Sequence, residues 1–363
     1  LEKVNGILIT TKIKLLPKQE QYQALKRTME QFNQACNRIS KIAYESNCFS
    51  KVKLQQLCYY PIRIEFENLS SQLIIRAIAK VCEAYKLNKK TKCQFKLDGA
   101  IVYDQRILSL KGLENVSLAT VEGRIKVPMF ISGYHISVMQ DRRIRGQADL
   151  VFVNGVFYLL LVLEIHEGER INTSEVLGID LGIVNIATDS KGEFFSGAKI
   201  NNLRKRYSRL RTKLQSKGTK AAKRRLQQRA RKERRMARDI NHCISKNIVE
   251  KAQRHSSVIA LENLNGISKN KQKSKTVMKS QRQRLSRWSF FQLRQFIEYK
   301  ARMNGVPVVF VDPKYTSQEC SSCGHTDKEN RKTQDQFECV SCGFVANADY
   351  NASLNIRRRA IVS

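Results

Sequence analysis

Four cysteines stand as two C-x-x-C pairs, Cys320 with Cys323 and Cys339 with Cys342, and 15 residues lie between the pairs. This spacing reads as a zinc site. Gly324 and Gly343 directly follow the second cysteine of each pair, so each pair closes into a tight knuckle and the four thiolates converge tetrahedrally on one Zn²⁺. Four protein ligands leave no position for water, which makes the ion structural. His325 is surplus to such a site and reads as an exposed polar residue. Three carboxylates carry a second kind of chemistry: Asp180 at the end of an apolar strand, Glu262 at the end of a later buried strand, and Asp349 at the start of the last helix. Open α/β sheets bind ligands at the carboxyl ends of neighbouring strands. If these acids meet within about 4 Å, each like-charged pair costs roughly 4 kcal/mol at an effective dielectric near 20, so the cluster requires cations. Hard oxygen donors select Mg²⁺ or Mn²⁺ over zinc. Two such ions would clamp a phosphate, one generating hydroxide from water and the other stabilising the departing 3′ oxygen, which is phosphodiester hydrolysis. Taken singly, each acid has an ordinary alternative as a turn residue, a loop residue or a helix-start residue.

The charge balance says what such a site acts on. Of 363 residues, 66 are lysine or arginine and 32 aspartate or glutamate, a net charge of +34 that calls for a polyanionic partner. Residues 201–240 hold 17 of the basic residues against Glu233 and Asp239, a net of +15. Like charges at i, i+4 destabilise a helix by a few tenths of a kcal/mol each unless phosphates lie alongside, so this stretch reads as a duplex-binding helix pair. Arg204, Arg211, Arg224, Arg231 and Arg235 are its candidate contacts. Residues 268–287 carry eight basic residues and no acid, and read as a basic lid that orders on nucleic acid, with Lys271, Lys275 and Arg282 as candidate contacts. The longest strongly apolar stretch, 156–163, is far below the roughly 20 residues of a membrane helix. No secretion signal is legible at the N-terminus, so the chain reads as working in a reducing cytoplasm, and Cys36, Cys48, Cys58, Cys82, Cys93 and Cys243 read as buried free thiols.

Several elements must position these groups. An alternating strand over 7–15 is followed, after Pro17, by a helical segment to about Glu45, and a second helix spans about 70–87 with Ile74, Ile78, Val81 and Tyr85 on one face. From about 93 to 171 short β-rich runs at 106–110, 116–121, 124–129, 148–153 and 156–165 suggest a small antiparallel barrel, with Asn154-Gly155 as a hairpin turn. The helices are thus inserted after the barrel's first strand. Three antiparallel strands from about 176 to 195 open an α/β domain. A helical stretch at about 201–253, a strand at 258–261, a helix at 290–303, a strand at 308–311 and a last helix at about 348–359 continue it. The zinc knuckles interrupt it before that helix.

The order strand-Asp, strand-Glu, helix-Asp is that of the RNase H-like nucleases. The chain resembles TnpB, the RNA-guided DNA endonuclease family of insertion sequences, and more distantly the compact type V CRISPR effectors. The resemblance is carried by Gly178-Ile179-Asp180-Leu181-Gly182 and Leu261-Glu262-Asn263-Leu264, which look like the first two RuvC motifs. Tyr315-Thr316-Ser317-Gln318 before Cys320-Ser321-Ser322-Cys323-Gly324 looks like the start of the family's zinc ribbon, and Asn347-Ala348-Asp349-Tyr350-Asn351 through Ile356 like the third RuvC motif. The match is specific in the C-terminal half and one of layout in the N-terminal half. The resemblance implies a multidomain α/β chain with a small β-barrel. Residues 1–16 and 93–172 would form the wedge barrel, 17–92 a helical recognition insertion, 173–315 and 347–363 the RuvC-like nuclease domain, and 316–346 a zinc ribbon that contacts target nucleic acid. It further implies a transposon-derived guide RNA, a double-stranded DNA target beside a short adjacent motif, two Mg²⁺ or Mn²⁺ ions on Asp180, Glu262 and Asp349, and one active site for both strands. A monomer or dimer on the RNA, with a nucleoid-associated prokaryotic location and a role in transposon maintenance, completes the expectation. Tyr44 and Gln72, in the recognition helices, become candidate readers of the adjacent motif. Two rivals are a non-cleaving RNA-guided DNA-binding regulator, which would be expected to have lost an acid, and an RNase H-like transposase, in which a 3′ hydroxyl replaces water.

Overall fold

The computed structural model describes residues 6–140, 143–263, 290–333 and 335–362. The chain divides into two compact units, Leu1–Ile165 and His166–Ser363.

The first unit is one antiparallel sheet with a helical insertion. Its strands are β1 (Ile7–Leu15), β2 (Ile101–Asp104), β3 (Leu108–Lys111), β4 (Asn115–Thr120), β5 (Gly123–Phe130), β6 (Arg143–Val153) and β7 (Val156–Ile165), in the order β2-β6-β7-β1-β5-β4-β3. The ends of this order approach one another: the Tyr103 hydroxyl on β2 donates to the Ala119 carbonyl on β4 at 2.9 Å, which nearly closes the sheet into a barrel. Along β7 the alternate residues Phe157, Leu159, Leu161, Leu163 and Ile165 are buried, as a half-buried strand requires. Asn154 (φ 53°) and Gly155 (φ 80°) form the expected β6–β7 turn in the left-handed region such hairpins need.

Between β1 and β2 come α1 (Gln19–Glu45), α2 (Lys51–Glu65) and α3 (Ser71–Leu87), and α4 (Gly133–Met139) follows β5. Helix α1 packs on α3, and the buried Tyr85 hydroxyl meets Ser40 Oγ at 2.9 Å. The separate helix α2 is absent from the sequence reading. It contains Pro61 and is apolar on both sides, with Leu54, Cys58 and Ile62 buried and Val52, Leu57, Tyr60 and Ile64 exposed, so it lacks the one-sided stripe that marks a surface helix. The strand expected at 106–110 begins two residues later, because the Asp104 side chain accepts from the Arg106 amide and folds 105–107 into a turn. Cys36, Cys58 and Cys82 are buried, whereas Cys48 and Cys93 are half-buried and Cys243 is exposed on its helix, which corrects the uniform expectation. Burial pushes the Cys36 and Cys58 thiols up to about 12, leaving them unreactive.

The second unit is built on a five-stranded sheet, β10-β9-β8-β11-β12. Strands β8 (Val176–Asp180), β9 (Asn185–Asp189) and β10 (Phe194–Ser196) are antiparallel neighbours, and β11 (Val258–Glu262) and β12 (Val308–Val311) add in parallel to β8. Helices α5 (Ala198–Lys217) and α6 (Lys220–Arg254) form a hairpin broken at Gly218, whose φ of 63° ends α5, and Thr219, whose Oγ1 caps α6 by accepting from the Ala222 amide at 3.1 Å. Helix α7 (Phe290–Met303) precedes β12. A 3₁₀ turn (Lys328–Asn330), β13 (Gln336–Glu338), β14 (Val345–Asn347) and α8 (Ala348–Val362) complete the unit. On one sheet face Leu177, Ile179, Ile259 and Leu261 pack on Ile248, Leu293 and Ile297 of α6 and α7, and on the other Val176 and Ala260 pack with Val311 and Ile356 of α8.

Candidate functional site

That alternation decides where the acids go. Successive strand residues face opposite sides of the sheet, so Val176, Gly178 and Asp180 on β8, and Val258, Ala260 and Glu262 on β11, share the face covered by α8. Leu261 pairs with Ile179 in the parallel register, which makes Asp180 and Glu262 neighbours at the carboxyl ends of adjacent strands. Helix α8 brings the third acid. Asn347 Oδ1 accepts from the Asp349 and Tyr350 amides at 3.0 and 3.2 Å, capping the helix, and Asp349 therefore lies in its first turn, buried at 3% exposure. The helix lies against β8 because position 178 has no side chain: a Cβ there would fall 2.2 Å from the Ser353 carbonyl oxygen.

Two of the acids act on the third. Burial first, then Glu262 and Asp349, push the Asp180 carboxyl well above the usual carboxylate range, against the pull of Arg331 and the Leu181 amide. Asp349 is raised by burial and by Asp335, while its hydrogen bond from Asn185 and the Arg331 guanidinium pull it down. Its Oδ2 accepts from Asn185 Nδ2 at 2.9 Å, and its Oδ1 lies 3.5 Å from Arg331 Nη2. Glu262 Oε1 accepts from the Thr316 hydroxyl. Asn185, Arg331 and Thr316 are missing from the sequence reading as site residues. Each comes from an element remote in the chain, and only Thr316 falls within a motif that the sequence singles out.

The carboxylates do not collapse onto one point, unlike the expected meeting within about 4 Å. Among the described residues only the four cysteines bring ligand atoms all within 4.8 Å of one another. Sites holding two ions keep them about 3.5–4 Å apart, so their ligands need not share a single centre. The donor set itself fits hard divalent cations: three carboxylates, one of them destabilised as an anion by burial and by the other two, with the Arg331 guanidinium at the edge.

The zinc knuckles are preformed. Cys320 Sγ lies 3.7 Å from Cys342 Sγ and Cys323 Sγ lies 3.6 Å from Cys339 Sγ, close to the roughly 3.8 Å that sulfurs keep on a tetrahedron of 2.3 Å bonds. Gly324 (φ 80°) and Gly343 (φ 70°) donate their amides to the Cys320 and Cys339 carbonyls, and only glycine takes that turn without strain. Buried Asn330 joins the halves, donating to the Gln318 carbonyl at 2.9 Å and the His325 carbonyl at 3.1 Å while accepting from the Val340 amide at 2.9 Å. His325 is exposed, as expected.

The expected nucleic-acid contacts divide. Arg224, Arg231 and Arg235 are exposed on α6, and Arg204 lies on α5. Arg211 instead pairs with Glu233 at 2.7 Å and, with Arg229 stacked over Tyr207, fastens α5 to α6. Tyr44 is 41% exposed on α1 and its hydroxyl reaches the Lys90 carbonyl at 3.3 Å. Gln72 donates to Asp104 in a groove of about 630 Å³ that Lys51, Gln55, Arg76 and Gln147 also line. Lys271, Lys275 and Arg282, with the basic lid 268–287, lie outside the described residues.

Comparison with known proteins agrees with this architecture. A family described as "Cas12f1-like, TNB domain" matches residues 290–356, and one described as "Probable transposase" (OrfB_IS605) matches 161–271. The CRISPR-associated endodeoxyribonuclease Cas12f1 of Syntrophomonas palmitatica is 31% identical over 48% of this chain and 37% of its own length. The putative RNA-guided DNA endonuclease InsQ of Escherichia coli is 28% identical over 60% of this chain and 58% of its own length. A TnpB-like protein of Methanocaldococcus jannaschii is 32% identical over 45% of this chain and 58% of its own. The aligned parts thus span 37% to 58% of these three relatives. In a solved Cas12f1–sgRNA–target DNA complex, the matching chain superposes with a TM-score of 0.64 at 14% identity, covering 97% of this chain and 99% of that one. The fold is therefore that of the compact type V effectors: a near-closed barrel with a helical insertion, and an RNase H-like sheet interrupted by a four-cysteine ribbon. Over residues 161–271 and 290–356 the chain is thus similar to TnpB-type and Cas12f-type proteins. Among the described residues no helix is long and apolar enough to cross a membrane.

Proposed function

We propose that this chain is an RNA-guided DNA endonuclease that cuts double-stranded DNA beside a short adjacent motif and serves transposon maintenance. The observation that carries the reading is Asp180, raised by burial and then by Glu262 and Asp349, on the α8 face of an RNase H-like sheet within a chain of net charge +34. Two Mg²⁺ or Mn²⁺ ions held by these acids would supply a hydroxide nucleophile and neutralise the leaving 3′ oxygen. The protein's own groups do the rest. Asn185 orients Asp349, and Arg331 offsets the negative charge at the rim. The exposed arginines of the α5–α6 hairpin attract and align phosphate backbones, with an affinity that falls steeply with salt. In the proposed division of labour, residues 1–16 and 93–172 grip a transposon-derived guide RNA, 17–92 and the Gln72 groove read the adjacent motif, and 316–346 touches target DNA. The amides of Gln55, Gln72 and Gln147 beside Arg76 suit the donor–acceptor edges of bases. A prokaryotic cytoplasm, next to the nucleoid, is the corresponding location.

The test is a matched plasmid, purified protein with its copurifying RNA, and Mg²⁺. The parent is expected to linearise the plasmid, and Asp180→Ala and RNase-treated parent are expected to leave it intact. If the parent leaves the plasmid uncut, as Asp180→Ala does, the nuclease reading fails. Cleavage that persists after RNase treatment would favour the transposase rival.

A further inference from the structure

The hydroxyl of Thr316 sits at a junction that the reaction as described does not explain. Thr316 is 3% exposed, and its Oγ1 donates to Glu262 Oε1. Its one proton has a second acceptor within reach, the Pro313 carbonyl at 3.1 Å. The residue is fixed from both sides. Tyr315, immediately before it, adopts φ 64°, a left-handed conformation that a bulky side chain seldom takes, and the Tyr315 carbonyl accepts from the Gln318 and Glu319 amides at 2.9 and 3.0 Å. The Thr316 carbonyl accepts from Asn355 Nδ2 at 3.0 Å, and Asn355 belongs to α8, the helix that carries Asp349. One buried residue thus joins the strand of Glu262 through its hydroxyl and the helix of Asp349 through its carbonyl, at the first turn of the zinc ribbon.

We propose that Thr316 is a positioning residue for Glu262, holding the carboxylate toward the ion site when no ion is present and releasing it on binding. A donor fixed on Glu262 would compete with a cation for the same oxygen. The Pro313 carbonyl removes that conflict, because the hydroxyl rotates to it and remains hydrogen-bonded as the cation takes Glu262, so no buried donor is stranded. Glu262 then meets the cation already oriented, and the ordering cost has been met in the folded chain. This inference rests on reading Asp180, Glu262 and Asp349 as cation ligands.

The experiment titrates Mn²⁺ into the full chain with its copurifying RNA and follows free Mn²⁺ by electron paramagnetic resonance. Site binding is the difference between each protein and the same preparation carrying Asp180→Ala, and zinc content is measured alongside. Removing a side chain that orients a metal ligand typically weakens binding by roughly 10–100-fold. Thr316→Val is expected to raise the Mn²⁺ midpoint about tenfold with zinc retained, Thr316→Ser to restore it to within about twofold, and Thr316→Ala, which removes the same hydroxyl with less bulk, to match Thr316→Val. A midpoint unchanged in both Thr316→Val and Thr316→Ala overturns the inference, as does a Thr316→Ser protein as weak as they are. A parent indistinguishable from Asp180→Ala overturns both this inference and the reading of the acids beneath it, whereas parent binding with unaffected Thr316 variants overturns this inference alone.

Discussion

Replacing Gly178 by alanine asks whether the distance between β8 and α8 sets the site. The added Cβ would lie 2.2 Å from the Ser353 carbonyl oxygen and 2.6 Å from the Arg357 amide nitrogen, against 3.4 Å or more for an ordinary contact. Both atoms are backbone of α8, so no side chain can turn aside, and the helix has to retreat by about 1 Å. Overpacking of this kind costs roughly 1–3 kcal/mol, and a backbone-on-backbone clash belongs at the upper end. In a unit of about 200 residues, near 3 kcal/mol corresponds to a fall of roughly 6–12 °C in melting temperature. The functional effect is larger than the stability effect, because α8 carries Asp349 and a misplacement of about 1 Å near reacting groups can cost on the order of 10²-fold in rate. Differential scanning calorimetry gives the first quantity and the initial rate of plasmid cleavage, measured at a temperature where the variant is folded, gives the second. Gly133→Ala is the control, since a Cβ there meets nothing within 4 Å. If Gly178→Ala melts with the parent and cuts at the parent's rate, the argument that α8 is held at a critical distance is wrong.

Two further perturbations follow from the same physics. Cys320→Ser should lower zinc content from one ion per chain toward none and destabilise the ribbon, read by mass spectrometry and by protease sensitivity between residues 316 and 346; unchanged zinc would contradict the four-thiolate assignment. Burial, then Lys300 and Arg238, push the His242 imidazole down to about 4 from an ordinary 6.5, where it stacks on Phe296 with ring centroids 4.0 Å apart. The folded chain thus refuses a proton that the unfolded chain accepts, so this contribution is present above about pH 6.5 and is lost as pH falls toward 4. His242→Phe should flatten the acid limb of the melting curve relative to the parent, and superimposable limbs would refute the assignment.

What the sequence discloses about this site, and what it conceals, follows from range. The cysteine pairs are legible because each knuckle is a local object whose ligands and glycine lie within five residues. Asp180 and Glu262 are legible because each closes an apolar run, and a charge at the end of a buried strand is costly without a purpose. The hydrogen bonds that orient these acids are a different matter. Thr316 reaches Glu262 across 54 residues and Asn185 reaches Asp349 across 164, and no periodicity reports such contacts. Arg211 shows what charge counting leaves out: it is one of five candidate phosphate contacts by that measure, and Glu233 lies within 2.7 Å of it, an ion pair that links the two helices. Helix α2 escapes the pattern because its apolar residues cover both of its sides.

The position of the zinc ribbon in the chain gives it a consequence beyond its own stability. It is inserted between β12 and α8, and its packed interior amounts to Cys320, Phe337, Cys339 and Ala348 with Phe344 alongside. So small an apolar cluster cannot hold roughly 30 residues folded, and chains below about 40 residues generally need a metal or disulfides to do so. The ion therefore decides whether the ribbon has a shape. That shape then sets where α8 begins, because β14 runs directly into the helix at Ala348, whose amide donates to the Asp335 carbonyl at 3.0 Å inside the ribbon. At its other end the ribbon is tied to α8 through Glu319, whose carbonyl accepts from Asn351 at 2.8 Å and also from Asn355, and whose carboxylate meets Arg358 and Arg359. Asp349 lies between these ties. The four-cysteine site, itself outside the acid cluster, is thus coupled through the two ends of one short helix to the orientation of an acid in that cluster.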